Sequence, residues 1–363
     1  MTRRRRRLRV LVTARDVGAA RQARAVIEGC RRLRAAIDFV VVAQAPAITV
    51  FRGLSAPVVR VSRAGRGIPE WMEQARPDFL LAGLSGFGRG VDEQALSAAR
   101  RLGIPSGAVQ DYWGYLGPEE HEDRPDTFFV MDATAAALTR ARCRTAKVVV
   151  AGSPKHEQYR ERWQQWMPVR RAKRPQVVFF MQPRAVPGLS ANLEAFLRAS
   201  TALSPGIDVR VRLHPAEPTR PVVARLADRI GARVTVEDSK GPVEKVLGAA
   251  ALVVTCFSTV GLDHTFLQLY ARRSLGALLY LNIGAPIRAF MSARIGCDRV
   301  PGADVGLGVT RTTASGLADW MADAIEGPDQ RRAFRTAVTT HFRSARSPAR
   351  RIAAFFQNEW ASL

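Results

Sequence analysis

Two short passages decide how this chain is read, VRVRLHP at residues 209–215 and ALVVTCFSTVG at residues 251–261. Each opens on a short run rich in Val, Leu and Ala that reads as a buried strand, and each ends where a strand gives way to a helix. The first closes on Arg212-Leu213-His214-Pro215, the second on Cys256-Phe257-Ser258-Thr259-Val260-Gly261. In an open parallel α/β sheet, ligands bind outside the carboxyl ends of the strands. An imidazole and a guanidinium on one such loop, with Ser, Thr and Gly opening a helix on the next, suit a nucleotide phosphate. The helix start supplies free N–H groups and the positive end of the helix dipole.

Working outward, the same rhythm of short buried strand and amphipathic helix occurs twice. In the first half, strands are expected at 10–13, 39–42, 58–61, 79–82, 106–110, 127–131 and 147–151. Helices fall between them, the first running from Asp16 to about Leu33. Gly83, Ser85, Gly86, Gly88 and Gly90 read as a flexible loop, and residues 154–167 as a connecting helix. The basic, proline-bounded stretch 168–175 marks the domain boundary. Beyond it, strands are expected at 176–181, 209–213, 234–236, 252–254 and 277–281. A last helix at 350–360 is apolar at Ile352, Phe355, Phe356 and Trp360, a spacing that requires one face to be buried. The expected class is therefore α/β, with two Rossmann-like parallel-sheet domains facing a cleft. Residues 1–167 form the first domain and 168–348 the second, and residues 349–363 return as a helix to the first.

Composition narrows the classes. With 363 residues, two domains are natural. At 47% hydrophobic and 24% charged the chain is an ordinary globular protein, and no apolar run is long enough for a transmembrane helix. The basic start, residues 2–9, is read as the flank of a first buried strand rather than a signal peptide, which makes the protein cytoplasmic. The net charge is +23, and all but five of the 55 basic residues are Arg. Such charge raises affinity for nucleic acid and for anionic membrane surfaces, the inner membrane face among them. No recognition helix or aromatic-interleaved basic strand accompanies it, which argues against nucleic acid. Cys30, Cys143, Cys256 and Cys297 lack metal or disulfide spacing. Cys256, beside Ser258, reads as a small buried strand-end residue. Glu119, Glu120, His121, Glu122 and Asp123 read as an exposed acidic loop, so no metal site is expected.

Further candidates lie in the first half. Asp111 follows a strand and precedes Tyr112 and Trp113. A carboxylate there suits a general base for an acceptor hydroxyl, with the aromatic rings lining a sugar pocket. It suits equally an Asp that caps a turn between two half-buried rings. Asp16 with Gly18 follows the first strand, and the pattern is not the GxGxxG dinucleotide fingerprint. In the second half Asp263 and His264, one turn into the helix after Ser258, are expected to pack or to meet a ribose.

These residues resemble a known family. Two α/β halves, a basic linker and a returning terminal helix look like a GT-B-type glycosyltransferase. Arg212-Leu213-His214-Pro215 and Cys256-Phe257-Ser258-Thr259 are similar to the His-Pro and Ser-Ser/Thr motifs of bacterial sialyl- and Kdo-transferases and related capsule enzymes. There the motifs bind the nucleotide of a CMP-sugar. Residues 103–113 and 150–154 also look like the first half of surface-polysaccharide proteins of this architecture. The resemblance implies a metal-independent transfer of sugar from a nucleotide-sugar donor to a surface-glycan acceptor. The nucleotide-sugar is then a substrate, and no cofactor is implied. Arg212, His214, Pro215, Ser258, Thr259 and Gly261 would bind the nucleotide, with His214 on its phosphate. Asp111 or Asp16 would be the base, and Gly18, Tyr112 and Trp113 would meet the acceptor. The Asp/Glu-Asp/Glu-Gly sequence that some relatives use for the base is missing here. UDP-GlcNAc 2-epimerases share the fold, although their acidic and His-rich motifs are not found. An epimerase or hydrolase acting on a nucleotide-sugar, or a non-catalytic binder of nucleotide or glycan, is the alternative.

Overall fold

The computed structural model describes residues 6–62, 67–86, 88–117, 123–167, 174–215, 220–342 and 347–358. The chain divides into two compact units, residues 1–157 with 345–363, and residues 158–344.

The first unit begins with β1 (Leu8–Ala14), α1 (Val17–Arg32), β2 (Ile37–Ala43), β3 (Val58–Arg60) and α2 (Ile68–Ala75). It continues with β4 (Phe79–Ala82), α3 (Val91–Leu102), β5 (Ser106–Val109) and β6 (Thr127–Val130), then α4 (Ala133–Arg142), β7 (Lys147–Val150) and α5 (Pro154–Glu157). Short runs such as Phe79-Leu80-Leu81-Ala82 are buried on both faces, as strands of a helix-covered parallel sheet must be. The seven strands pair in the order β3-β2-β1-β4-β5-β6-β7, all parallel. The chain therefore reverses its direction of growth between β1 and β4, and their carboxyl ends border the crevice where such sheets hold ligands.

The second unit opens with α6 (Tyr159–Arg162), β8 (Gln176–Phe180), α7 (Leu189–Ser200), β9 (Asp208–Arg212), α8 (Arg220–Ile230) and β10 (Thr235–Glu237). Next come α9 (Val243–Ala249), β11 (Leu252–Thr255), α10 (Thr259–Tyr270), β12 (Ala277–Leu281) and α11 (Ala285–Ile295). It closes with β13 (Val309–Arg311), α12 (Leu317–Glu326) and α13 (Asp329–His341). The order here is β10-β9-β8-β11-β12-β13, again parallel throughout, with the reversal between β8 and β11.

The last helix, α14 (Pro348–Asn358), belongs to the first unit. Ile352, Phe355 and Phe356 are fully buried in the cluster that holds Val10, Val12, Phe79 and Phe129. Phe79 meets Phe356 edge-on at 5.2 Å between ring centres, and Phe129 meets Phe355 at 5.0 Å. Trp360, expected on the same face, lies outside the described residues, as do residues 118–122 of the acidic loop and most of the linker.

Residues 154–167 are not one connecting helix. They break into α5, α6 and a 3-10 turn, Trp163–Trp166, and the units divide within them, after residue 157. The cause is packing. Tyr159 stacks edge-on to Trp166 at 4.7 Å and its hydroxyl donates to Glu244 of α9 at 2.9 Å, which ties this segment to the second unit.

Candidate functional site

Sheet register assembles the loops of the second unit. Phe180 of β8 pairs with Arg212 of β9, and the Thr255 hydroxyl of β11 donates to the Phe180 carbonyl at 3.3 Å. Just beyond, the Met181 N–H donates to the Arg212 carbonyl at 2.9 Å and the Phe257 N–H to Gln182 Oε1 at 3.1 Å. The 212–215 and 256–261 loops thus leave the sheet on either side of the end of β8. Ser258 is the N-cap of α10, and its hydroxyl accepts from the Val260 N–H at 3.2 Å. His214, Ser258 and Thr259 are half-buried, and Pro215 is exposed.

Two residues of this group have internal tasks. Arg212 is 6% exposed, and its guanidinium donates to the carbonyls of Lys240 and Gly241 at 2.9 and 3.2 Å, clamping the loop that enters α9. Gly261 is buried where a Cβ would run into the Tyr280 ring and hydroxyl, so glycine here lets α10 approach β12. Cys256 is fully buried, and burial pushes its thiol well above the ordinary range, which leaves no thiolate for nucleophilic work. His264 packs rather than meeting a ligand. It is fully buried, its Nε2 lies 2.8 Å from the Gly276 carbonyl, and its ring stacks on Phe334 at 5.4 Å.

Sequence reasoning passed over Asn282, at the end of β12. Its side chain is fully buried and donates to the Cys256 carbonyl at 3.2 Å, holding the start of the Ser/Thr loop. A single Asn after an apolar run carries no signal of that role.

In the first unit the candidate carboxylates gather at the start of α1. Gly18 lies in the first turn of α1, where a Cβ would stand 3.1 Å from Asp111 Oδ2 and 3.4 Å from Asp16 Oδ1. Both carboxylates thus border the helix N-terminus, where the dipole favours negative charge. Asp16 is the N-cap: Oδ1 accepts from the Ala19 N–H and Oδ2 from the Gly86 N–H, each at 2.8 Å. Asp111 is half-buried. Tyr112 and Trp113 are buried against each other at 5.4 Å, and the Trp113 indole N–H donates to Asp132 at 2.9 Å. Their rings are core, so the structure presents no stacking face for a sugar at either residue.

The glycine loop is tied down where the sequence suggested a flexible one. Arg15 donates to the carbonyls of Gly86 and Gly88 at 3.1 and 2.8 Å, and the Tyr115 hydroxyl donates to the Ser85 carbonyl at 2.9 Å. At its end, the Gly90 N–H donates to the Glu93 carboxylate at 2.7 Å. Beneath the loop lies Asp92, 1% exposed, whose carboxyl is pushed up to about 7 by burial and then by the neighbouring Glu93. Its burial was illegible, because an Asp in the first turn of a helix ordinarily faces solvent. Among the described residues no three His, Cys, Asp or Glu side chains gather as a metal site would require.

No family model matches this chain, and no curated protein does. Solved structures do match over nearly the whole length. UDP-GlcNAc 2-epimerase from Neisseria meningitidis, bound to UDP-GlcNAc, is 12% identical with a TM-score of 0.66 over 97% of this chain and 100% of that one. Anabaena HepE, in complex with UDP and glucose, is 14% identical with a TM-score of 0.62 over 98% and 100%. A glycosyltransferase from Rickettsia africae is 11% identical with a TM-score of 0.63 over 97% and 99%. At such identities the likeness is one of fold, and that fold is the GT-B type: two Rossmann-like parallel-sheet domains with a terminal helix on the first.

Proposed function

We propose that this chain is a glycosyltransferase that moves a sugar from a nucleotide-sugar donor to a glycan or lipid-linked acceptor without recruiting a metal. The observation that carries the reading is the second-unit loop pair. His214 and the N-terminus of α10, capped by Ser258, leave the same sheet on either side of β8, next to its reversal point. An imidazole and a helix start with free N–H groups and hydroxyls are complementary to a phosphate. We assign the nucleotide to His214, Pro215, Ser258 and Thr259, with Arg212 and Gly261 shaping those loops. Asp111 is the base for the acceptor hydroxyl, near Gly18 at the start of α1. Asp16, the N-cap of α1 after the first strand, is the runner-up. The resemblance to sialyl- and Kdo-transferases favours a CMP-linked donor and a capsule-type acceptor, and the net charge of +23 favours an anionic acceptor or the membrane face.

Known structures of this fold include a UDP-GlcNAc 2-epimerase, so the experiment must separate the reactions. The protein is incubated with CMP-, UDP-, GDP- and CDP-linked sugars, with and without a glycan acceptor. Product that forms only with acceptor supports transfer. An altered sugar or free nucleotide formed without acceptor means an epimerase or hydrolase, and saturable binding without turnover means a binding protein.

A further inference from the structure

We propose that Asp92 is a positioning residue: its carboxylate, acting through the Ser85 hydroxyl, locks the Arg15–Asp16 turn to the glycine loop. The evidence is a chain of hydrogen bonds at the β1–β4 reversal point. The Ser85 Oγ accepts two backbone N–H groups, from Arg15 at 3.2 Å and Asp16 at 3.1 Å. Its own proton is therefore directed at Asp92 Oδ2, 2.6 Å away. That length belongs to a hydroxyl bonded to an ionised carboxylate. Oδ2 also accepts from the Arg15 N–H at 3.2 Å. The remaining oxygen, Oδ1, is buried, and the Thr13 hydroxyl lies near enough to the carboxyl to favour its ionised form. Gly83 permits the approach, because a Cβ there would come within 2.9 Å of Oδ1.

The lock has consequences for the residues above it. Asp16 reaches the loop through the Gly86 N–H, and Arg15 through two carbonyls. The charged groups around Asp92 are Glu93 on α3 and Arg15 and Asp16 on the turn after β1, with Asp111 beyond Gly18. Burial, Glu93 and Asp16 oppose ionisation of Asp92, and the hydrogen bonds from Ser85 and Thr13 favour it. Protonation removes the charge that orders the Ser85 hydroxyl, so the turn and the loop loosen together near neutral pH while Asp92 itself stays buried. This deepens the transferase reading, and rests on it only for the effect on turnover.

The test is amide hydrogen exchange, corrected for intrinsic rates, in wild type, Asp92→Asn and Ser85→Ala at pH 6 and pH 8. Protection at Arg15, Asp16 and Gly86 is expected to be about tenfold higher at pH 8 than at pH 6 in wild type. Asp92→Asn should match the low value at both pH values, and Ser85→Ala should lose protection at pH 8. Melting curves supply an independent sign. The native carboxyl binds its proton more tightly than the unfolded one, about 7 against 3.8, so its stabilising contribution falls as pH rises through that window. Asp92→Asn should therefore gain melting temperature relative to wild type above pH 7. Equal protection in all three proteins at pH 8, or a melting difference that does not change with pH, overturns the proposal. These readouts need no donor. Exchange that follows the pattern in a protein inactive on every donor leaves Asp92 in place and removes the transferase reading.

Discussion

Two carboxylates flank Gly18, and they are not equivalent. Asp16 is held by two backbone N–H groups as a helix cap and loop tie, whereas Asp111 stands beside the helix start at the end of an interior strand of the sheet. Replacing Asp111 by Asn keeps the size and removes the base, so transfer turnover is expected to fall by ~10²–10⁴ while donor affinity, read by calorimetry, stays nearly constant. Retained turnover would pass the role to another group. On the donor side, His214→Ala is expected to weaken nucleotide binding by ~1–3 kcal/mol, and an unchanged affinity in the folded variant removes His214 from the site. His264 gives a prediction about stability. Burial lowers its pKa from 6.5 to about 4, so the native state binds fewer protons than the unfolded chain between those values. Its contribution is intact above pH 6.5 and is lost as pH falls through that window, about 3 kcal/mol in all. Denaturant melts of wild type and His264→Phe from pH 7 to pH 4 check the slope, which should flatten in the variant.

Among the elements, α14 shows what helical spacing conveys. The positions 352, 355 and 356 define one apolar face, and that face fills the core beside β1, β4 and β6. Its approach to α1 is close: a Cβ on Gly29 would overlap Ala349. Truncating Phe356 to Ala leaves a cavity among Phe79, Phe129 and Phe355, which predicts a loss of ~3–5 kcal/mol. The loss should appear in the unfolding of the first unit, followed by exchange protection of β1 and β4. Equal loss confined to strands of the second unit would contradict the assignment. Among the elements missed in the sequence were α11, β13 and the break within residues 154–167. Residues 309–311 form too short a run for alternation to register. The break follows from what Tyr159 and Trp166 touch, and helix propensity does not encode that.

At the scale of the molecule, charge dominates. A net +23 carried almost wholly by Arg gives a basic protein at every physiological pH. Retention on an anionic polymer or an anionic vesicle should fall steeply with salt, since such contacts release counterions and are screened within about 10 Å at 0.1 M. Binding of a free nucleotide at a built phosphate site should depend on salt far more weakly. Parallel titrations at 50 and 300 mM salt compare the two, and equal slopes would mean that nucleotide binding is itself only diffuse attraction. Among the described residues no helix is long and apolar enough to cross a membrane.

The alternation of buried runs and amphipathic helices determined the two parallel sheets, and the spacing of Ile352, Phe355 and Phe356 determined that the last helix has a buried face. Both are local patterns set by the periods of strand and helix. The placement of His214 and Ser258 at strand ends was legible for the same reason, since motif and strand adjoin in the chain. Tertiary structure alone decided which candidates are packing residues. Trp113 finds Asp132, Gly261 meets Tyr280 and Arg212 clamps the carbonyls before α9, each through partners distant in sequence. It also decided that Asp92 lies buried beneath a tied loop, because burial depends on what folds over a residue and its own flanks do not reveal that.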